Sequence, residues 1–104
     1  MAKFPDRVLW CMARGDLTVS DITRWFDRPR ATVNTWVNGR TPYGPSGRAA
    51  TRRLDLLQDL VKNKEGFPIP ETLTGLKRAD YIRGIRDAAE RKQHARVPQM
   101  RAAI

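Results

Sequence analysis

Arg30, Ala31, Asn34, Thr35 and Asn38 recur at spacings of one, three and four residues, so a helix would gather them on one face, away from Val33 and Trp36. Their chemistry suits the edges of base pairs. A guanidinium can bond guanine O6 and N7 together, an asparagine amide can bond adenine N6 and N7, and a small methyl such as that of Ala31 can touch a thymine methyl. These five are the candidate base contacts, with Thr35 and Asn38 able to serve backbone phosphates as well. A face selected for solubility alone would more often carry Glu and Lys. Here no Asp or Glu occurs anywhere from Arg28 to Leu54.

A second set suits phosphate oxygens. Thr18, Ser20, Arg24, Arg28, Thr32, Arg40 and Arg48 offer hydroxyl or guanidinium donors around the same stretch, and backbone N–H groups opening a helix add to them. Arg52 and Arg53 extend the set, either as further phosphate contacts or as an ordinary solvated face.

Other chemistries lack their residues. No catalytic constellation is present: His94 is the one histidine and has no Cys, Ser or second His near it in sequence. Cys11 is the one cysteine, which excludes an internal disulfide and a cysteine zinc site. It is expected to be a buried thiol beside Met12. Asp55 and Asp59 share a helix face at i, i+4, but Arg52 and Lys62 are spaced to neutralise them. Gly44-Pro45-Ser46-Gly47 lacks the Lys-Ser/Thr of a phosphate loop. No catalytic residue, metal, cofactor or small-molecule substrate is expected.

The positioning elements read as helices throughout, with no alternating strand pattern and no internal repeat. Pro5-Asp6 opens a first segment with Val8, Leu9, Met12 and Ala13 on one face, stopped at Gly15-Asp16. Thr18 caps a second helix, with Asp21 completing a short capping box before Ile22, Trp25 and Phe26. Asp27-Arg28-Pro29 breaks it, and a third helix runs over Arg30–Val37 to Asn38-Gly39. Arg40 to Gly47 reads as a loop, with Ser46 or Thr51 capping a fourth helix that carries Leu54, Leu56, Leu57, Leu60 and Val61. Phe67-Pro68-Ile69-Pro70 must be extended. Thr72 or Thr74 caps a fifth helix to about Arg91, with Leu76, Ala79, Ile82, Ile85 and Ala89 inward, before a loose basic tail. The expected fold is all-α, a compact bundle of about five helices containing a helix-turn-helix. Residues 1–43 form the helix-turn-helix region, 44–91 two helices that complete the core or form a dimer interface, and 92–104 the tail.

Within Leu17–Pro42 the apolar residues Ile22, Phe26, Val33 and Trp36 of two short helices would face one another across a tight break. This stretch resembles the helix-turn-helix of phage repressors and related bacterial regulators of the Cro/C1 (XRE) type. The run Thr32-Val33-Asn34-Thr35-Trp36-Val37-Asn38-Gly39-Arg40 is its most specific part, and the resemblance covers residues 5–42. Thr23 stands where that family has a small Ala at the helix crossing, Asp27 at its turn Gly, and Arg28 at the apolar position that follows. The resemblance implies that residues of about 29–38 form a recognition helix lying in the DNA major groove.

Composition sets the class. The chain has 104 residues, with twenty Lys+Arg against eleven Asp+Glu and a net charge of +9. Arg outnumbers Lys fifteen to five, which favours forked bonding to phosphate or guanine. An apolar share of 40% is enough for a small folded domain, and no apolar run reaches the length of a membrane span. The opening residues do not read as a secretory signal, and a cytoplasmic protein of a bacterial or phage-infected cell is expected. The expected partner is double-stranded DNA, with a homodimer or higher homo-oligomer doubling a short half-site. The leading expectation is a small phage or mobile-element transcriptional regulator that binds DNA sequence-specifically. Two alternatives stand beside it: the DNA-recognition part of a packaging or recombination assembly, and a basic module that docks on RNA or an acidic protein.

Overall fold

The computed structural model describes residues 2–102, with side chains described through residue 93. It is all-helical, with no strand among the described residues: α1 (Phe4–Gly15), α2 (Val19–Phe26), α3 (Arg30–Val37), α4 (Gly44–Lys62) and α5 (Gly75–Ala102).

One hydrophobic core draws on all five helices. Phe4, Val8 and Cys11 of α1 are buried against Ile22, Trp25 and Phe26 of α2 and Val33 and Trp36 of α3. Leu54, Leu57 and Val61 of α4 and Ile82 of α5 close the same cluster. Three aromatic rings tie the first three helices together. Trp36 meets Phe4 edge-on at 5.2 Å and Phe26 at 5.1 Å between ring centroids. Such tilted pairs align a positive ring edge with a negative ring face. Trp36 therefore anchors α3 from its inner side and leaves the opposite side to solvent.

Helix α2 has eight residues, too few to be stable alone. Its ends are held by neighbours. At the N-terminus Thr18 and Asp21 form a reciprocal capping box. At the C-terminus its orphan carbonyls accept from arginines: Arg24 O from Arg86 Nη1 of α5 at 3.0 Å, and Phe26 O from Arg53 Nη1 of α4 at 2.6 Å. Trp25 Nε1 in turn donates to the Arg53 carbonyl at 2.8 Å.

Several details differ from the expectations. On α1 the inner face is Phe4, Val8 and Cys11, while Leu9 is 44% exposed and Ala13 is exposed. Phe4, just before Pro5, captures the aromatic cluster and so fixes the rotation of the helix. Helix α4 begins at Gly44 and not at Ser46 or Thr51, with Pro45 in its first turn, where no N–H is needed. Gly47 is buried there, and a Cβ would lie 2.9 Å from the Pro42 carbonyl carbon. The loop backbone therefore packs directly on α4.

Phe67 and Ile69 are buried and Pro68 and Pro70 exposed, an alternation along the non-helical connection, with Phe67 edge-on to Trp25 at 6.0 Å. On α5 Ala79 and Ile82 are buried and Ile85 and Ala89 partly so, but Leu76, in the first turn, is 82% exposed. Helix α5 continues past Arg91 to Ala102, so the tail expected from Lys92 is helical over that span. Apolar periodicity marks where a helix is buried, not where it stops, and Lys92, Gln93, Ala95 and Arg96 all favour helix. The side chain of His94 lies outside the described residues, as do residues 103–104.

Candidate nucleic-acid interface

The break between α2 and α3 spans Asp27, Arg28 and Pro29. Asp27 takes a left-handed conformation, φ 54° and ψ 50°, and its N–H donates to the Thr23 carbonyl. It thus makes the turn that a glycine commonly makes, since aspartate tolerates this region better than most side chains. Pro29 is the N-cap of α3, with φ −59° preset for the turn. The sharp reversal lets Val33 and Trp36 bury against α2 while the outer face of α3 stays open.

That outer face carries Arg30, Ala31, Asn34 and Asn38, all exposed. Arg30 Nη2 bonds the Ser20 hydroxyl, joining the starts of α2 and α3 and leaving the other guanidinium donors free. Asn38, the C-cap, donates its backbone N–H to Asn34 O at 3.1 Å. Thr35 is placed differently. It is partly buried, and its hydroxyl donates to Thr32 O at 2.6 Å, so it retains acceptor capacity only. It can accept from a base amino group but cannot donate to a phosphate.

The phosphate candidates fall in four places. Thr18 is exposed, and its oxygen accepts from Asp21 N–H at 3.2 Å, which leaves its O–H available beside the partly buried Ser20. Arg24 turns instead to Asp21, 3.5 Å from Oδ1. Arg28, Thr32 and Arg40 are brought together around a cleft between α3 and the following loop, with Thr35, Tyr43 and Ser46 on its walls. Arg48 lines an adjoining cleft with Tyr43 and Arg52. Arg53 does not join them: Glu90 holds its Nε at 3.0 Å and Phe26 O its Nη1, which makes it a strut of the core.

The distribution of ion pairs follows the acid gap in the sequence. Among the described residues Arg7, Arg24, Arg53, Arg78, Arg83 and Arg86 each lie within 4.0 Å of a carboxylate. Of the six arginines between residues 28 and 54, Arg53 alone is so paired; Arg28, Arg30, Arg40, Arg48 and Arg52 have no carboxylate within 4.0 Å among the described residues. Asp55, the first acid after the gap, pairs with Arg7 across α1 and α4, not with Arg52 as its spacing suggested. The residue that sequence reasoning passed over is Tyr43, which is 87% exposed. Its signal was an aromatic between Pro42 and Gly44 in the middle of the acid-free stretch.

Behind this surface sits Asp21, 1% exposed. Burial would raise its carboxyl, but hydrogen bonds from Arg78 and the Thr18 backbone outweigh that and hold it below the ordinary carboxylate range. Arg78 is correspondingly raised, chiefly by its bond to Asp21. Burial pushes the Cys11 thiol up to about 12, against a smaller opposing pull from Arg7. Among the described residues no three His, Cys, Asp or Glu side chains converge as a metal site. No helix among them is long and apolar enough to cross a membrane. No protein-family model, curated protein or solved structure matches the chain.

Proposed function

We propose that this protein binds double-stranded DNA by laying α3 in the major groove, where Arg30, Ala31, Asn34 and Asn38 read base edges. Arg28, Arg40, Arg48 and Arg52 hold the flanking phosphates. The observation that carries this reading is the set of five arginines with no carboxylate within 4.0 Å among the described residues, around an exposed, acid-free helix. Asp27 and Glu90 share a cleft with Arg28 and Arg52, but Arg30, Arg40 and Arg48 have no such neighbour in the clefts around α3, and a polyanion would neutralise them. The short polar side chains of α3 further favour a duplex over an acidic protein, because Asn and Arg match adenine and guanine edges in the major groove. The likeness of the Thr32–Arg40 run to phage-type helix-turn-helix domains supports a role as a small transcriptional regulator.

Titrating the full chain against random-sequence duplex at several salt concentrations tests the reading. Four arginine–phosphate contacts give a slope of log affinity on log salt of about −3.6, a loss of roughly a hundredfold between 50 and 200 mM. Failure to bind random duplex at low salt would refute it.

A further inference from the structure

Tyr43 is the most exposed large hydrophobic side chain among the described residues, at 87%, and it precedes the first residue of α4. Pro42 precedes it, Gly44 follows at φ +69°, and buried Gly47 clamps the Pro42 carbonyl, since no Cβ fits between them. The backbone just before Tyr43 thus packs directly against α4. It stands at the junction of two clefts: one shared with Arg28 and Arg40 beside α3, the other with Arg48 and Arg52 along α4. No carboxylate lines either cleft. The phenol is a donor among guanidinium groups, and Thr41 and Ser46 supply further hydroxyls, while the Thr51 hydroxyl donates to Gly47 O at 2.9 Å.

We propose that Tyr43 is a nucleic-acid contact residue whose hydroxyl donates to a backbone phosphate of duplex DNA held between Arg40 and Arg48. This site is separate from the base-reading face of α3 and rests on the DNA-binding reading above. Its chemistry is that of a phosphodiester: negative charge for the two arginines, and an anionic oxygen for the phenol O–H. Because such a contact is blind to the base, it fixes the register of the protein on the duplex and adds affinity equally on every sequence.

Duplex affinity is to be measured for the full chain and for Tyr43→Phe, Tyr43→Ala, Arg40→Ala and Arg48→Ala, on random duplex and on a selected site, across a salt series. Tyr43→Phe keeps the ring and, being exposed, leaves the fold intact. It should weaken binding by roughly ten- to 150-fold on both duplexes, the loss expected for one hydrogen bond to a charged acceptor, with the salt slope unchanged. Arg40→Ala and Arg48→Ala should each make the slope shallower by about 0.9. Tyr43→Phe binding as tightly as the unaltered chain would overturn this site while the DNA reading stands. A loss confined to the selected site would also overturn it, because Tyr43 would then be reading bases. No binding by the unaltered chain would overturn both.

Discussion

Arg78 of α5 grips Asp21 of α2 with two parallel bonds, Nε to Oδ1 at 2.9 Å and Nη2 to Oδ2 at 2.7 Å. The same guanidinium reaches the Asp16 carbonyl in the turn before α2, at 3.3 Å. Asp21 is also the N3 residue of the capping box, so one carboxylate joins the start of α2 to a helix 57 residues away in sequence. Helix α5 thereby positions α2, and α2 positions α3.

Asp21→Asn should cost about 2–4 kcal/mol at pH 7, since it leaves Arg78 without its charged partner. The carboxyl is depressed in the folded state, so its contribution is complete above the unfolded value near 4 and is lost as pH falls through the folded value. Urea unfolding of the two proteins should therefore differ most at neutral pH and converge in acid. Parallel curves down to pH 2 would show that the bond contributes no pH-dependent stability.

Asp27 occupies a left-handed conformation that glycine adopts without steric cost. Asp27→Gly should raise stability by about 0.3–1 kcal/mol while leaving the turn, and hence the angle of α3, unchanged. Thermal unfolding checks it: a fall in the midpoint would mean that the aspartate makes a contribution beyond its backbone geometry.

Cys11 is fully buried, with its thiol pushed up to about 12, so almost none is thiolate at pH 8. A thiol reagent should leave the native protein unlabelled over hours and modify it at once in strong denaturant. Prompt labelling without denaturant would indicate frequent opening of the α1–α4 packing.

Much of the site was legible because it depends on local rules. The Thr18–Asp21 box, the break at Asp27–Pro29 and the close of α3 before Gly39 each follow from capping and turn chemistry within a few residues, and the structure agrees at each. The burial of Ile22, Phe26, Val33 and Trp36 follows from helical spacing. What could not be read depends on distant partners. Nothing near Arg53 in sequence signals Glu90, 37 residues on, so Arg53 looked as available as Arg48, whereas the Arg24–Asp21 pair lies at a helical i, i+3 spacing. Leu9 and Leu76 fit their helical stripes but are exposed, and spacing alone cannot supply that information. Tyr43 escaped notice because exposure of an aromatic is a tertiary fact.

Arg30→Ala should cost on the order of 1–3 kcal/mol of DNA affinity and relax preference at one base position. Asn34→Ala should do the same at a neighbouring position, whereas Arg52→Ala should weaken all sequences alike. Binding assays on a panel of single-base variants separate the two patterns; a uniform loss for Arg30→Ala would make it a phosphate contact.

If α3 lies in the major groove, its exposed face reads base sequence. Selecting duplexes bound by the full chain from a random pool tests it most directly, with Arg30→Ala and Asn34→Ala selected in parallel. The unaltered chain should yield a short enriched motif, and each variant should lose a different position from it. Recovery of duplexes without any enriched motif, or of the same motif from all three proteins, would contradict it.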